Sequence, residues 1–259
     1  MNSKSITGYK SVNGLNMYYE IHGEGAPLVL IHGGGSTIGT TFQQVLPLFA
    51  RSRQVIAVEL QAHGHTADID RPLTFEQDAD DIANLLQQLE ISHADFLGFS
   101  NGGSTALQIG IRHPGIARKL VSASSCYKRD AFYPWFWEFM PNASLANMPQ
   151  ALQDVYLAIN PGNQAGLIAM HNRDRDRMLD FNDWADDDIR AIKAPTLLIN
   201  ADQDVIRPEH TVEMYRLLPH GRLVILPGIH GEYIGEITTK PAKGLVEATV
   251  AIIEDFLGD

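Results

Sequence analysis

The chain has 259 residues, 44% of them hydrophobic and 20% charged, and a formal net charge of -11. Those figures fit one large globular domain, alone or with an insertion. They exclude a nucleic-acid binder, which needs clustered Lys and Arg against phosphates, and an anionic membrane surface as the main partner. The single cysteine, Cys126, allows no internal disulfide and reads as a buried structural thiol. Met1–Lys10 carries no apolar leader, and no apolar run reaches the roughly 18 residues of a membrane span. The expectation is a cytoplasmic protein, monomer or homodimer, whose partner is a small molecule.

Strands and helices alternate along the chain. Asn13-Gly14 is a hairpin signal ahead of a strand at Asn16–His22. Pro27–His32 is a short apolar strand that runs into three glycines, and Thr40–Ala50 reads as a helix. Gln54–Leu60 is a second apolar strand. Thr74 caps an amphipathic helix to Glu90, with Ile82, Leu85, Leu86 and Leu89 at helical spacing. Ala94–Phe99 is a strand leading directly into Ser-Asn-Gly-Gly. Ser104–His113 is a helix stopped by Pro114, and Lys119–Ala123 is a strand. The rhythm then breaks: Tyr127–Ile192 holds no strand pattern, carries Phe132, Tyr133, Trp135, Phe136, Trp137 and Phe139, and ends in the acidic run Asp186–Asp188. Strands resume at Pro195–Ala201 and Arg222–Leu226, separated by a helix at Glu209–Leu218, and a last helix runs from about Pro241 to Leu257. This order implies an α/β fold: a mostly parallel, doubly wound sheet of about eight strands with helices on both faces. Residues 1–126 and 193–259 form its core, and 127–192 form a helical insertion over one end.

Three features carry chemistry. Gly98-Phe99-Ser100-Asn101-Gly102 is a G-x-S-x-G between a strand and a helix, where a sharp turn projects the serine hydroxyl and the following helix aims its amides at the same point. His32-Gly33-Gly34-Gly35 follows another strand; consecutive glycines leave backbone N–H groups free to bind an oxyanion, and no Lys follows to make a phosphate loop. An activated serine needs a base and an orienting acid. Of ten histidines, His230 stands in a loop just past the last strand, where catalytic groups gather in such sheets. His32 braces the glycine loop. His63 and His65 have no third ligand at telling spacing and read as structural. His93, His113, His171, His210 and His220 fall in or beside helices and read as surface residues. The acid is Asp202 or Asp204, both past the Pro195–Ala201 strand, because the alternative place after Lys119–Ala123 reads Ser-Ser-Cys.

In this order the residues resemble the α/β-hydrolase family across essentially the whole chain: HGGG at 32–35, GFSNGG at 98–103, ADQDVIRP at 201–208 and LPGIH ending at His230. The resemblance implies a serine hydrolase acting on an ester or similar acyl bond. Ser100 is its nucleophile and His230 its base, the amides of Gly34 and Asn101 form its oxyanion hole, and 127–192 is its cap. No metal or organic cofactor is implied. Members place the acid four residues before a proline, as Asp204 stands before Pro208. Pro208 also suits the first turn of the next helix, which leaves Asp204 inside the loop and Asp202 at the strand end. Gly35, Trp135, Phe136, Trp137 and Phe139 are expected at the substrate pocket. Two places depart from the family pattern: Asn101 stands where Met or Gln is common, and VELQAHGHT at 58–66 replaces a V-D-x-P-G-x-G-x-S stretch. Carbon–carbon bond hydrolase, lactonase, aminopeptidase and perhydrolase chemistry use the same three residues, and a non-catalytic receptor on this fold is the alternative outside enzymes.

Overall fold

A computed structural model describes residues 5–258, so residues 1–4 of the Met1–Lys10 stretch lie outside the described residues. Eight strands form one sheet: β1 (Ile6–Val12), β2 (Leu15–His22), β3 (Ala26–Ile31), β4 (Arg53–Val58), β5 (Ala94–Phe99), β6 (Ala117–Ala123), β7 (Thr196–Gln203) and β8 (Gly221–Ile229), in the order β1-β2-β4-β3-β5-β6-β7-β8. β1 and β2 form an antiparallel hairpin across Asn13-Gly14, and both turn residues take positive φ, 48° and 85°. Such a turn matches the right-handed twist of its strands. β2 also pairs antiparallel with β4, and the remaining ladders are parallel.

The helices are α1 (Ile38–Phe42), α2 (Leu46–Phe49), α3 (Phe75–Gln88), α4 (Asn101–Arg112), α5 (Pro134–Phe139), α6 (Gln150–Ile159), α7 (Gln164–Asp180), α8 (Asp186–Arg190), α9 (Pro208–Leu217) and α10 (Leu245–Leu257). Strand side chains alternate between two cores, as a period of two demands. Val29, Ile31, Ile56, Val58 and Phe96 pack with α3 and α4 on one face. Leu28, Leu30, Val55, Ala57 and Leu97 pack with α1, α2 and α10 on the other. Each fully buried aliphatic side chain contributes about 1.5–3 kcal/mol, so the two clusters fix the register of the sheet.

Most elements lie within a few residues of their sequence-based bounds. Two places differ: β1, which the sequence signals only through the hairpin turn at Asn13-Gly14, and Thr40–Ala50, which is two short helices rather than one. Pro47 is the reason: it lacks an N–H and its ring obstructs the carbonyl four residues back, so it opens α2 instead of continuing α1. Between β6 and β7, residues 127–192 contain α5 to α8 and short 3-10 turns, with no strand among the described residues.

The sheet end remote from Ser100 is tied by charge. Asp95, fully buried near the start of β5, accepts from Arg53 at 3.2 Å and from Arg118 Nε at 2.8 Å. Arg53, 4% exposed, also donates to Glu254 at 2.7 Å and to the Gly258 carbonyl at 2.9 Å, which joins α10 to the sheet. Asp95→Ala leaves a buried guanidinium short of its counter-charge. It is expected to lower unfolding free energy by about 3–5 kcal/mol in a denaturant titration while kcat of the folded fraction stays unchanged.

Candidate active site

The turn from β5 into α4 is set by two close approaches. A methyl group on Gly98 would stand 1.9 Å from the Gly102 carbonyl oxygen, and one on Gly102 would stand 2.1 Å from the Ile31 carbonyl oxygen. Only hydrogen fits at either place. The chain between them is compressed, and Ser100 takes φ 55° and ψ -120°, a conformation that L-residues rarely adopt. Ser100 N–H is held by the Ala123 carbonyl of β6 at 2.8 Å. The hydroxyl is thereby lifted off the sheet end at the N-terminus of α4, whose first amide, on Asn101, has no intrahelical acceptor.

Ser100, His230 and Asp204 lie in one hydrogen-bonded line. Ser100 Oγ is 3.2 Å from His230 Nε2, and His230 Nδ1 is 2.7 Å from Asp204 Oδ1. The carboxylate accepts from Nδ1–H, so Nε2 carries the lone pair that faces the serine. Asp204 is buried and also accepts from the Ile206 amide at 3.0 Å and the Ser124 hydroxyl at 2.6 Å. Burial pushes its pKa up, but His230 and these donors outweigh burial and hold it below the usual carboxylate value. Burial likewise pushes His230 down, and the Asp204 charge and hydrogen bond more than reverse this, so its pKa lies above 6.5. Asp202 does something else: it accepts from the Gly228 amide at 2.9 Å.

The glycine loop closes on the turn from the other side. A methyl on Gly33 would be 3.2 Å from Ser100 Cβ, and one on Gly34 would be 2.6 Å from the Asn101 side-chain nitrogen. Gly34 N–H meets no acceptor among the described residues, whereas Gly35 N–H donates to Asp174 at 2.6 Å. His32 braces the loop: Nδ1–H donates to the Gly33 carbonyl at 2.7 Å and Nε2 accepts from Leu60 N–H at 3.1 Å. That pattern requires a neutral ring, and burial lowers its pKa to about 3.

Two cavities meet beside Asn101. One, of about 140 Å³, is bounded by Ser100, His230, Ser124 and Phe136. The other, of about 350 Å³, is bounded by Gly34, Gly35, Phe136, Phe139, Met148 and Asp174. A larger cleft of about 670 Å³ lies between the start of α3 and the end of α7, away from Ser100. Of the residues expected at the substrate pocket, Gly35, Phe136 and Phe139 border the cavity of about 350 Å³. Trp135 and Trp137 do not. Trp135 is 52% exposed, and Trp137 donates to the Arg129 carbonyl at 2.8 Å under the Arg129 guanidinium, packing α5 rather than lining a cavity. His210 is buried, not a surface residue, with its Nε2 accepting from Tyr127 N–H, and His171 borders the larger cavity. Cys126 is buried beside Ser104, and burial pushes its thiol up to about 12.

Sequence reasoning missed three participants. Ser124, with φ 49°, occupies the position after β6 where the alternative acid was sought, and there it donates to Asp204. Tyr233, fully buried, donates to Ser124 Oγ at 2.6 Å. Asp174 reaches the glycine loop from α7. Its neighbours one turn either way, Met170 and Met178, are buried, which marks the same helix face. That periodicity is present in the sequence, within the alternating charges Arg173 to Arg177.

Because Asp204 and not Asp202 touches the imidazole, Asp204→Asn is expected to cut ester kcat by up to about 10⁴. Asp202→Asn, which disturbs one turn hydrogen bond, is expected to stay near wild type. Steady-state kinetics on both folded variants, with circular dichroism as the control, distinguishes the two aspartates; the reverse ranking would exchange their roles.

The alpha/beta hydrolase family model matches residues 28–229. The chain is 31% identical over 212 residues to a 2-hydroxymuconate semialdehyde hydrolase of Pseudomonas sp. (strain CF600), covering 73% of this chain and 74% of that protein. It is 32% identical over 144 residues to a pimeloyl-[acyl-carrier protein] methyl ester esterase of Vibrio campbellii, covering 56% and 54% of the two chains. In three dimensions it is similar to a 2-hydroxy-6-oxo-6-phenylhexa-2,4-dienoate hydrolase of Rhodococcus sp. strain RHA1, with TM-score 0.79 and 16% identity over 99% of each chain. With its eight-stranded, mostly parallel sheet and a family match that spans most of its length, the chain belongs to the α/β-hydrolase family and is a hydrolase.

Proposed function

We propose that the protein is a serine hydrolase that opens an ester or similar acyl bond of a small, largely apolar molecule. The observation that carries this reading is the line Ser100–His230–Asp204, at 3.2 and 2.7 Å, opening on the two cavities. Ser100 Oγ attacks the carbonyl carbon while His230 Nε2 takes its proton. The negative charge that develops on the carbonyl oxygen is received by the N–H groups of Asn101 and Gly34. Each such donor is worth about 10²–10³ in rate. The imidazolium, stabilised by Asp204, then protonates the leaving group, and the acyl-serine remains. Water, deprotonated by the same His230, releases the acid and restores Ser100. This cycle calls on no metal and no organic cofactor.

The 127–192 segment acts as a lid in this reading, because Phe136 and Phe139 of α5 and Asp174 and Met178 of α7 border the larger cavity. A cytoplasmic site of action is supported by the single cysteine, buried and unpaired. No helix among the described residues is long and apolar enough to cross a membrane. A second reading, cleavage of a carbon–carbon bond next to a ketone by the same three residues, is favoured by the similarity to the 2-hydroxymuconate semialdehyde hydrolase. Turnover of an ester series against a ring-cleavage dienoate separates the two.

Ser100→Ala removes one hydroxyl and no packing, so it is expected to lower ester turnover by about 10⁴-fold or more with an unchanged melting curve. Turnover at the wild-type rate would overturn the reading. His230 acts only when neutral. As pH falls through its pKa the base is protonated and kcat/KM is lost in a single step, and because Asp204 raises that pKa the midpoint is expected above 6.5. A rate profile from pH 5 to 9 reads this directly; a flat acid limb would remove His230 from the base role.

A further inference from the structure

Asp174 is a carboxylate where the chemistry above has no use for one. It comes from α7 and reaches the glycine loop, accepting from Gly35 N–H at 2.6 Å and lying 3.4 Å from the Asn101 side-chain amide. These are the neighbours of the two proposed oxyanion donors, Gly34 N–H and Asn101 N–H. A methyl on Gly34 would stand 3.3 Å from the Asp174 carboxylate. The side chain is 15% exposed, and it borders the larger cavity.

Its charge is held in place from behind. His63, fully buried, has Nδ1 2.8 Å from the Gln61 carbonyl and Nε2 2.8 Å from Asp174 Oδ2. Gly35 N–H also lies 3.2 Å from Nε2; burial pushes the His63 pKa down, and the Asp174 charge and hydrogen bond more than reverse this. One turn further along α7, Arg177 donates to Asp78 of α3 at 2.7 Å, both side chains 1% exposed. Burial pushes Asp174 up, yet His63, Arg177 and the Gly35 amide together take its pKa down to about 2. The counter-charges His63 and Arg177 are buried behind the loop, whereas the Asp174 oxygens border the cavity. Much of the remaining wall, Phe136, Phe139, Met140, Met148 and Leu152, is apolar and screens little, while Asn147 and His171 add polar groups. Arg175 also borders this cavity, paired with Asp176 at 2.8 Å.

We propose that Asp174 sets the substrate class of this site: its fixed carboxylate beside the oxyanion loop excludes substrates with an anionic group close to the scissile carbonyl and admits neutral or hydrogen-bond-donating ones. This inference rests on the serine-hydrolase reading. A substrate carboxylate near the carbonyl meets like charge at short range across an apolar space, and it finds Gly35 N–H already taken. A hydroxyl, amide or ammonium group at the same place meets a free acceptor.

The test compares matched esters with and without the charge. Ethyl butyrate against monoethyl succinate places a carboxylate at the end of the acyl chain. Propyl acetate against O-acetylglycolate places it on the alcohol side. The wild-type enzyme is expected to favour the neutral ester in kcat/KM by about tenfold or more on at least one side, the size of a like-charge contact at low effective dielectric. Asp174→Asn, which keeps the shape and an oxygen for Gly35 N–H, is expected to shrink that ratio by about tenfold. Asp174→Glu, which keeps the charge, is expected to retain the preference. A wild-type ratio near one on both sides overturns the proposal even if neither variant folds. The same ratio in Asp174→Asn as in wild type overturns it as well. Failure of the wild type to hydrolyse either neutral ester would instead remove the ester-cleaving reading and this inference with it.

Discussion

The site depends on one steric constraint. Gly98 and Gly102 bring β5, α4 and β3 so close that no other residue fits at either place, and the chain between them is forced through a strained turn at Ser100. The strain is sustained by the buried parallel strands on either side, which bond to β5 through β3 and β6. Ser100 therefore stands at the carboxyl end of a central strand, at the N-terminus of a helix and beside the glycine loop at once. Every other element of the site is placed by where its strand ends relative to this turn. The loop after β3 brings Gly34, the one after β6 brings Ser124, the end of β7 brings Asp204 and the one after β8 brings His230.

Around that turn, proton positions follow from counting acceptors. Tyr233 donates to Ser124, Ser124 to Asp204 and His230 Nδ1–H to Asp204, which leaves His230 Nε2 as the single acceptor facing Ser100. His32 and His63, whose rings are 5.0 Å apart, have their pKa values moved in opposite directions. His32 has one donor and one acceptor as partners and stays neutral. His63 faces the Gln61 carbonyl and Asp174, with Gly35 N–H also 3.2 Å from its Nε2, and the Asp174 charge raises its pKa against burial. A neutral His32 ring next to the glycine loop adds no competing field there, and His63 anchors α7 through Asp174. The 127–192 segment is thus joined to the turn after β4 and to α3 by two largely buried ion pairs, His63–Asp174 and Asp78–Arg177.

Much of this was legible in the sequence because the constraints are local. A strand running into G-x-S-x-G, a strand running into three glycines and a histidine past the last strand each report a backbone requirement that few residue types meet. The choice of Asp204 over Asp202 rested on Pro208 opening α9, and the geometry puts Asp204 on His230 and Asp202 on a turn amide. What escaped was long-range. Ser124 and Tyr233 act through contacts made only when distant loops converge. Asp174 sits in a run of alternating charges, Arg173 to Arg177, whose composition hides the face turned to the core. Trp135 and Trp137 were drawn toward the cavity by composition, but α5 turns one to solvent and the other to Arg129. The break of Thr40–Ala50 at Pro47 is a local signal that the reading as one helix does not use.

The central claim is that this turn makes Ser100, alone among the serines, an activated nucleophile. Treatment with a fluorophosphonate, followed by proteolysis and mass spectrometry of the adducted peptides, tests it without any assumption about substrate. The account predicts a single stoichiometric adduct on Ser100, formed quickly at pH 8 and slowly at pH 5, where His230 is protonated. An adduct on another residue, or none at Ser100 in the folded protein, would contradict it.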